Sequence, residues 1–432
     1  MILRDPVHGL VAFEGDAERV TGPLMATREV QRLRRVRQLG LTSLVFPGAE
    51  HSRFAHALGA AHVMVKMQER LRAREGELEP GERLSPEHGR EALAAALLHD
   101  LGHGPFSHLF EEVLPSARHH ERWTVEMLLD EGTEVHAALA RMGGDMPSRV
   151  ASLLEGTHPL PWLARTVSGT LDVDRCDYLL RDSHMTGVAY GIYDLEWLLR
   201  ARTFARTAGG EPVLAIEGRK GLPPIEGFFL ARQFMYQQVY HHKATRAAEH
   251  LVRSTFRRVA ELIREARAPE RTPPSLRAAV LGEPIPLGDY LELDDSALMS
   301  CFAAWEQSPD RILADLSSRL RHRRLPKTIP LPEAEPALWE LARARASEIV
   351  ERMGMRSDLW VALDVASDVP YEEADAEPGG LWVSLRHQPL QRLGDASFLL
   401  RQLRNARIDR PRLVFPAEAR EPVERALEEI IG

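Results

Sequence analysis

One stretch constrains the fold more than any other: residues 96–108, which read Ala-Leu-Leu-His-Asp-Leu-Gly-His-Gly-Pro-Phe-Ser-His. The largely apolar run 91–98 predicts a buried helix that ends directly at the adjacent pair His99 and Asp100. Two glycines then break the helix, and Pro105 suits the first turn of the next one. A histidine beside a carboxylate at the end of a buried helix indicates metal ligands, since the flanking glycines let a ligand approach closely.

The same pair has a simpler interpretation, in which His99 and Asp100 only cap the end of a helix. An isolated pair would favour that interpretation. Two further histidines, His103 and His108, follow in the same stretch, however. This density of histidines favours the metal site.

Other segments carry residues of the same chemistry, although they are distant in sequence. They contain His56, then His119 and His120 before Glu121, and finally Asp174. Each segment lies on or beside an expected helix, so one divalent metal ion could bind two histidines and two aspartates: His56, His99, Asp100 and Asp174. A mixed nitrogen and oxygen set suits Mn, Fe, Zn, Ni or Mg. An octahedral ion would keep a position for a water nucleophile.

A charged helix is expected over 171–182. On a helix, Asp174, Tyr178 and Asp182 are four residues apart and share one face, which Arg175 and Arg181 flank. Such a face is costly to bury unless a ligand binds to it. The alternative is an exposed charged helix, but two leucines within the run argue against it.

The composition is that of an ordinary globular protein, with 44% hydrophobic and 27% charged residues. No run approaches the roughly 18 apolar residues of a membrane span, and the N-terminus is not that of a targeting peptide. Two cysteines cannot build a disulfide framework. We therefore expect a cytoplasmic enzyme without membrane partners.

The formal net charge of −8 argues against a non-specific polyanion binder. Arginines nevertheless cluster over 32–37 and over 321–324. Clusters of this kind on an acidic protein suit a phosphate-bearing ligand at a defined place. Solvated helix faces would explain each cluster equally well.

The expected fold is mainly α, with a small α+β appendage at the C-terminal end. We divide the 432 residues into a helical catalytic core over 1–270, a helical extension over 271–335 and an α+β subdomain over 336–432. Three β-rich runs after residue 336 support the last assignment, and an acidic loop is expected over 370–380.

The chain resembles the HD-domain phosphohydrolases through the ordered pattern of His56, the pair His99 and Asp100, and Asp174. Longer matches resemble the deoxynucleoside-triphosphate triphosphohydrolase branch and extend over roughly residues 1–330. They read Asp5-Pro-Val-His-Gly, Gln31-Arg-Leu-Arg, Arg37-Gln-Leu-Gly, Val45-Phe-Pro-Gly-Ala, His51-Ser-Arg-Phe-Ala-His-Ala-Leu-Gly, His99-Asp-Leu-Gly-His-Gly-Pro-Phe-Ser-His, Asp172-Val-Asp-Arg-Cys-Asp-Tyr and Tyr240-His-His-Lys.

The resemblance implies an HD-domain helical core and hydrolysis of a deoxynucleoside triphosphate (dNTP) to a deoxynucleoside and inorganic triphosphate. A metal-activated water would attack the α-phosphate. The leaving alkoxide is basic, so a general acid should assist its departure. By the same resemblance, the catalytic residues are His108, His103, His120 and Glu121.

The resemblance also assigns residues to the substrate. Arg53, Arg175 and Arg232 match phosphate-binding positions, although Arg175 stands where the family often has lysine. The sugar side is assigned to Gln38, Tyr178, Asp182 and Tyr240, an arrangement that would exclude a 2′-hydroxyl.

Some members of the branch are activated by nucleotides at the subunit interfaces of a tetramer, so the resemblance implies a homo-oligomer, a dimer or a tetramer. The matching allosteric positions are Gln31, Arg34, Arg323 and Lys327. Ala26 stands where the family has a guanine-reading aspartate. This departure argues against GTP as the activator but leaves room for another anionic nucleotide.

Two alternatives remain open. The first is an HD-type phosphodiesterase or phosphatase that acts on another nucleotide. The second is a nucleotide-sensing protein, or one that binds single-stranded nucleic acid weakly through its arginine clusters. The negative net charge and the complete ligand set speak against binding as the sole function.

Overall fold

A computed structural model describes residues 1–113, 118–333, 335–373 and 380–431. The predicted mainly α class is confirmed, and no helix in the described ranges is long and apolar enough to cross a membrane. The α-helices in those ranges are α1 Asp16–Met25, α2 Arg28–Arg32, α3 Arg53–Arg72, α4 Pro86–Leu98, α5 His108–Val113, α6 His120–Leu129, α7 Glu134–Ala140, α8 Met146–Leu154, α9 Pro161–Val167, α10 Val173–Thr186, α11 Leu195–Arg200, α12 Leu222–Met235, α13 Lys243–Arg264, α14 Pro274–Leu281, α15 Leu287–Leu291, α16 Asp295–Trp305, α17 Arg311–Arg321, α18 Pro336–Arg352, α19 Ser357–Trp360, α20 Leu393–Ala396, α21 Phe398–Leu403 and α22 Arg420–Ile431.

The strands form three small sheets. They are β1 Ile2–Asp5, β2 Gly9–Ala12, β3 Arg202–Arg206, β4 Pro212–Glu217, β5 Lys327–Pro330, β6 Ala362–Asp368, β7 Trp382–Ser384, β8 Gln391–Arg392 and β9 Ile408–Phe415. The strand orders are β1-β2, β3-β4-β7-β8 and β5-β9-β6. All pairs are antiparallel except β4 with β7, which is parallel.

Helix α4 contains the buried helix predicted over 91–98. It begins after Ser85, whose side chain accepts a hydrogen bond from the backbone N–H of His88, and Pro86 occupies the first turn. From residue 91 to residue 98 every side chain is buried. The helix ends at Leu98, so that His99 and Asp100 are the first residues beyond its buried part.

Helices α3 and α10 pack closely against each other, and α3 also packs against α4. At the crossing point, Gly59 of α3 faces the carboxylate of Asp177 and the guanidinium of Arg181 on α10. A Cβ atom at position 59 would collide with both groups. Glycine is therefore required there for the two backbones to approach.

The turn after α4 is strained at two consecutive residues. Phe106 and Ser107 both have φ of 57°, the left-handed region that costs a non-glycine residue about 1–3 kcal/mol. The backbone N–H of Phe106 donates to Asp295 Oδ1 at 2.8 Å, and Ser107 Oγ donates to the carbonyl oxygen of Arg37 at 2.8 Å. These bonds hold the turn in a conformation that the local sequence disfavours.

A second group of contacts supports the turn from residues 290–295. The hydroxyl of Tyr290 donates to the carbonyl oxygen of Gly102 at 2.7 Å, and buried Arg32 donates to the carbonyl oxygen of His103 at 2.9 Å. Arg32 also donates to the carbonyl oxygen of Leu293. The extension predicted over 271–335 therefore lies directly behind the 99–108 turn.

The C-terminal region is an α+β assembly, as expected, but two sheets cross the boundary proposed at residue 336. Strand β5 pairs with β9, and β7 joins the hairpin formed by β3 and β4. The division of the chain into three parts stays a prediction. Residues 374–379 of the expected acidic loop lie outside the described residues.

The Gly59→Ala variant tests the close contact between α3 and α10. The added methyl group would press against a buried ion pair, so we expect the free energy of unfolding to fall by about 1–3 kcal/mol. Urea denaturation followed by circular dichroism measures this change.

Gly22→Ala is the matched control, because Gly22 lies in α1 and a Cβ atom there has open space. This variant should gain up to about 1 kcal/mol from helix propensity. Equal stabilities for the two variants would contradict the packing argument.

Candidate active site

The predicted metal ligands lie together: the ligand atoms of His56, His99 and Asp174 are all within 4.8 Å of one another, and Asp100 lies beside them. The Nε2 atom of His56 lies 3.0 Å from Asp174 Oδ1, 3.2 Å from His99 Nε2 and 3.6 Å from Asp100 Oδ2, and His99 Nε2 lies 3.4 Å from Asp174 Oδ1. Ligand atoms about 2.1 Å from a metal and at right angles to each other are about 3 Å apart. The donor set and its spacing therefore fit one divalent cation.

Hydrogen bonds at the other ring nitrogens orient the two histidines. His99 Nδ1 donates to the carbonyl oxygen of Ala96 at 2.9 Å, within the last turn of α4. His56 Nδ1 donates to Asp177 Oδ2 at 2.8 Å. Both bonds leave Nε2 facing the common point, which is the arrangement that metal-binding histidines need.

Asp177 belongs to a buried network that sequence reasoning did not identify. Arg181 donates to both oxygens of Asp177, at 2.8 and 2.9 Å, and to Asp5 Oδ2 at 2.8 Å. His8 Nε2 lies 2.7 Å from Asp177 Oδ1. The available signal was the position of Asp177 one helical turn after Asp174, together with the Asp-Pro-Val-His run near the N-terminus.

Electrostatics keep the carboxylates of the site ionised. Burial alone would raise the pKa of Asp100, but the Arg53 guanidinium and the neighbouring histidines lower it. The pKa of Asp177 is likewise well below its usual range, because Arg181 and His56 outweigh the effect of burial. Ionised oxygens are the form that a divalent cation binds.

The predicted catalytic histidines form a second group beside the metal ligands. His103 is buried, with Nδ1 3.3 Å from Asp100 Oδ1, and its ring stacks on His120 at 3.7 Å between centroids. His120 Nδ1 bonds to Glu111 Oε1 at 3.0 Å, and Glu111 is a residue that sequence reasoning missed. The side chain of His108 is 63% exposed and lines the larger cavity described below.

His103, His108, Glu111 and His120 could in principle hold a second cation, since their ligand atoms lie within 4.8 Å of one another. The stacking argues against it. The His103 and His120 rings are stacked and inclined by only 28°, so their in-plane lone pairs lie in two nearly parallel planes and do not meet at one metal. Burial and the positive charge of Arg53 hold the pKa of His103 well below its usual range, so its ring is neutral.

Two cavities meet at the metal ligands. The larger, about 470 Å³, contains most of the predicted substrate residues: Gln38, Arg53, Arg175, Tyr178, Asp182 and Tyr240. The smaller, about 340 Å³, lies beside His99 and is the one that Glu121 lines. Asp100, His120, Asp174 and Arg175 line both cavities.

The middle of the larger cavity is built for a polar ligand. Asp182 Oδ1 lies 2.7 Å from His51 Nε2, and Asp182 Oδ2 accepts a hydrogen bond from the hydroxyl of Tyr240 at 2.8 Å. The amide oxygen of Gln38 is buried and has no hydrogen-bond partner among the described residues. His51 was quoted in a motif but not assigned a function.

The three predicted phosphate-binding arginines have different surroundings. Arg53 bonds to the carboxylate of Asp100 and to Ser107 Oγ, while Arg175 bonds to the carbonyl oxygen of Gly169. Arg232 is not on the lining of either cavity. Its guanidinium bonds to Asp368 Oδ1 at 3.0 Å and stacks on the ring of Tyr236, 4.3 Å from the centroid.

The predicted allosteric residues fall into separate places. Gln31 and Arg34 bond to each other, with Arg34 Nε donating to Gln31 Oε1 at 2.8 Å. Arg323 donates to the carbonyl oxygen of Leu44 at 2.6 Å, and Lys327 is exposed on β5. Their part in activator binding stays a prediction.

The arginine clusters are largely occupied by internal partners. Arg32 is buried and bonds to backbone carbonyls, whereas Arg35 pairs with Asp294 and Arg321 with Glu306. Partners of this kind reduce the positive potential that a nucleic acid would meet.

Comparison with known proteins shows similarity to one domain family and to individual proteins that match either most of the chain or only part of it. The family model of the HD domain matches residues 53–182. An uncharacterised protein of Bacillus subtilis, YwfO, is 35% identical over 86% of this chain and 81% of its own length. The deoxynucleoside triphosphate triphosphohydrolase SAMHD1 homolog of Dictyostelium discoideum is 30% identical over 59% of this chain, which spans 48% of that protein.

Solved structures resemble the whole chain. A phosphohydrolase of Bacteroides thetaiotaomicron has a TM-score of 0.80 at 26% identity, covering 96% of this chain and 99% of its own. A hypothetical protein of Aquifex aeolicus has a TM-score of 0.73 at 25% identity, with 99% of both chains covered. The similarity therefore includes the C-terminal region.

The Asp177→Asn variant tests the support of His56. Asparagine keeps the size of the side chain but loses the charge that fixes the ring, so we expect metal affinity to fall about 10- to 100-fold. Competition with a chromophoric chelator measures it, and Asp145→Asn, on the exposed N-terminal end of α8, is the control. Equal affinities for both variants would remove Asp177 from the metal centre.

Metal binding is expected to tighten as the pH rises. Burial alone would lower the pKa of His56, but its hydrogen bonds with Asp174 and Asp177 raise it to about 10. The metal-free ring is protonated at neutral pH, and a metal ion must displace that proton from Nε2.

Apparent affinity should therefore rise by up to about tenfold per unit between about pH 6.5 and pH 8.5. Calorimetry in two buffers of different ionisation enthalpy counts the released protons. A constant affinity over this range would show that His56 is already neutral.

Proposed function

The chain belongs to the HD-domain phosphohydrolases, and from that premise we propose that it hydrolyses dNTPs to a deoxynucleoside and inorganic triphosphate. One observation carries the proposal. The cavity that holds the metal ligands Asp100 and Asp174 continues without interruption to the sugar-facing residues Tyr178, Asp182 and Tyr240. A phosphate at the ligands would therefore have a nucleoside beside it.

The four ligands His56, His99, Asp100 and Asp174 hold the divalent metal in this proposal; its identity among Mn, Fe, Zn, Ni and Mg is open. When bound, such a metal supplies an acidified water and neutralises phosphate charge. In the reaction, a bond forms between the water oxygen and the α-phosphorus, and the bond from phosphorus to O5′ breaks. The water oxygen leaves with the triphosphate.

The reaction also requires neutralisation of phosphate charge and transfer of a proton to the leaving oxygen, and side chains of the larger cavity would provide both. Arg53, which bonds to Asp100, and Arg175, which follows Asp174 in the sequence, both line the cavity and would offset charge on the phosphates. His108 lines the same cavity, and desolvation together with the charge of Arg53 lowers its pKa to about 4. Its neutral ring would therefore take the proton that the attacking water releases and donate it to O5′ as the bond breaks. His103 and His120, the latter bonded to Glu111, would orient His108 and help to return a proton to it. Glu121 lines the smaller cavity.

The sugar would lie between Gln38, Tyr178 and Asp182. The carboxylate of Asp182 has a fixed orientation because His51 and Tyr240 bond to it, so it can accept a hydrogen bond from a 3′-hydroxyl. A sugar packed on the Tyr178 ring has little space for a 2′-hydroxyl. Deoxynucleotides would be preferred for this reason.

Relatives support the nucleotide assignment. SAMHD1 homologues of Dictyostelium discoideum and Danio rerio, at 30% and 28% identity, are deoxynucleoside triphosphate triphosphohydrolases by name.

We extend the proposal to a cytoplasmic homo-oligomer with an anionic nucleotide activator near Gln31, Arg34, Arg323 and Lys327.

Product analysis on a panel of four dNTPs and four ribonucleotides tests the proposal. We expect metal-loaded protein to release triphosphate from dNTPs, with and without added nucleotides as activators. The Asp174→Ala variant should lose the activity, because the ligand set would be incomplete.

Other products would point elsewhere. Release of monophosphate instead of triphosphate would favour the phosphodiesterase or phosphatase alternative. Intact dNTPs under all conditions, combined with salt-dependent binding of single-stranded nucleic acid, would favour the sensing or binding alternative. Either result would overturn the proposed function.

A further inference from the structure

One wall of the larger cavity is an irregular segment. Helix α12 continues into a π-helical turn, Tyr236–Tyr240, which breaks at residues 241–242 before α13 begins. Tyr236, Tyr240, His241 and Arg246 all line the cavity. π-helical turns are rare, occur mostly as single turns within α-helices and are frequent at functional sites, so the contacts that hold this one in place bear directly on the cavity.

The C-terminal sheet contacts the segment at three points. Asp368 of β6 bonds to Arg232 before the π-helical turn, and Asp364 of β6 bonds to Arg246 after it, at 2.6 and 2.9 Å. Between these two points, Arg412 of β9 donates to the carbonyl oxygen of His241 at 2.7 Å. The three contacts together span the whole irregular segment.

The strand geometry makes the three contacts parts of one surface. Asp364 and Asp368 are four residues apart on β6, so they project from the same face, while Val365 between them is exposed. Arg412 is the register partner of Asp364 across the β6-β9 pair. This surface is the face of the C-terminal sheet that meets the cavity wall.

Burial makes these contacts specific. Asp368 is 4% exposed and Arg232 is 12% exposed, and Arg232 also donates to the carbonyl oxygens of Val369 and Pro370. In both Asp364 and Asp368 the second carboxylate oxygen is buried without a hydrogen-bond partner in the described part of the chain. Each aspartate therefore has its arginine as the main compensation for a buried charge.

A chain of contacts leads from Asp368 to the sugar-facing carboxylate. Arg232, held by Asp368, stacks on Tyr236, and the Tyr236 ring lies 4.9 Å from that of Tyr240 in an edge-to-face contact. The hydroxyl of Tyr240 donates to Asp182 Oδ2 at 2.8 Å. The Tyr240 ring also lies 6.2 Å from the Tyr178 ring in an edge-to-face contact. Loss of the Asp368 contact would thus loosen Tyr240, which orients Asp182 and packs on the ring that leaves little space for a 2′-hydroxyl.

We propose that Asp364 and Asp368 are positioning residues, through which the C-terminal sheet fixes the wall 236–246 and sets the discrimination between deoxynucleotides and ribonucleotides. The inference rests on the proposed function. The C-terminal region would then contribute to substrate specificity, although Asp364, Asp368 and Arg412 do not line the cavity.

The test compares Asp364→Asn, Asp368→Asn and the double variant with the unaltered protein. Asparagine preserves the size of each side chain but cannot neutralise its arginine. Loss of a charged hydrogen bond should lower the ratio of kcat/KM for a dNTP to kcat/KM for the matching ribonucleotide by about tenfold. The change should come from KM, because the metal ligands are untouched.

Asp409→Asn is the matched control, since Asp409 lies on β9 of the same sheet and bonds to Arg407 instead of the wall. Its ratio should equal that of the unaltered protein. Binding of non-hydrolysable deoxynucleotide and ribonucleotide analogues to the metal-loaded variants gives the same ratio without turnover.

Thermal denaturation separates specificity from simple loss of stability. An unchanged discrimination ratio in both aspartate variants, or an equal fall in Asp409→Asn, would overturn the inference. If Asp368→Asn fails to fold, Asp364→Asn and Arg412→Gln make the same comparison. Failure of the proposed function is distinguishable, because the unaltered protein would then hydrolyse none of the dNTPs.

Discussion

The candidate metal centre depends on one buried interaction, the ion pair between Arg181 and Asp177. Removing two charges from water is costly, and the cost is offset only when hydrogen bonds satisfy both groups. Here the arginine bonds both oxygens of Asp177 and reaches Asp5, while His8 and His56 bond the same carboxylate. The pair thereby connects the N-terminal hairpin, α3 and α10, and it sets the orientation of His56, a predicted metal ligand.

A second constraint is the sharp change of chain direction within residues 99–108, which separates His99 and Asp100 from His108. His99 and Asp100 directly follow a buried helix and face the predicted metal site, whereas His108 begins α5 and lines the larger cavity. The two strained residues between them, Phe106 and Ser107, make this change of direction within a few residues. The turn keeps this conformation because the carboxylate of Asp295 accepts a hydrogen bond from the N–H of Phe106 and the hydroxyl of Tyr290 donates one to the carbonyl oxygen of Gly102.

Much of this could be predicted from the sequence, because local patterns encode it. The buried helix α4, the pair that ends it and the shared face of Asp174, Tyr178 and Asp182 all follow from spacing along one element. Glu111, Asp177 and His51 escaped assignment, since their partners are determined only when distant helices pack.

The bond between Arg232 and Asp368 was not predicted for the same reason. No local sequence pattern indicates that the C-terminal sheet contacts the segment 236–246. The tertiary contacts of a residue depend on elements far along the chain, and a single sequence holds no direct record of them.

The support of the 99–108 turn by Tyr290 and Asp295 has a consequence for biosynthesis. The carbonyl oxygen of Gly102 and the N–H of Phe106 have partners that are translated almost two hundred residues later. Until that segment has left the ribosome, the strained turn lacks the bonds that stabilise it, and contacts of such sequence separation form slowly. The nascent chain therefore contains His56, His99 and Asp100 early, whereas their final arrangement is reached late.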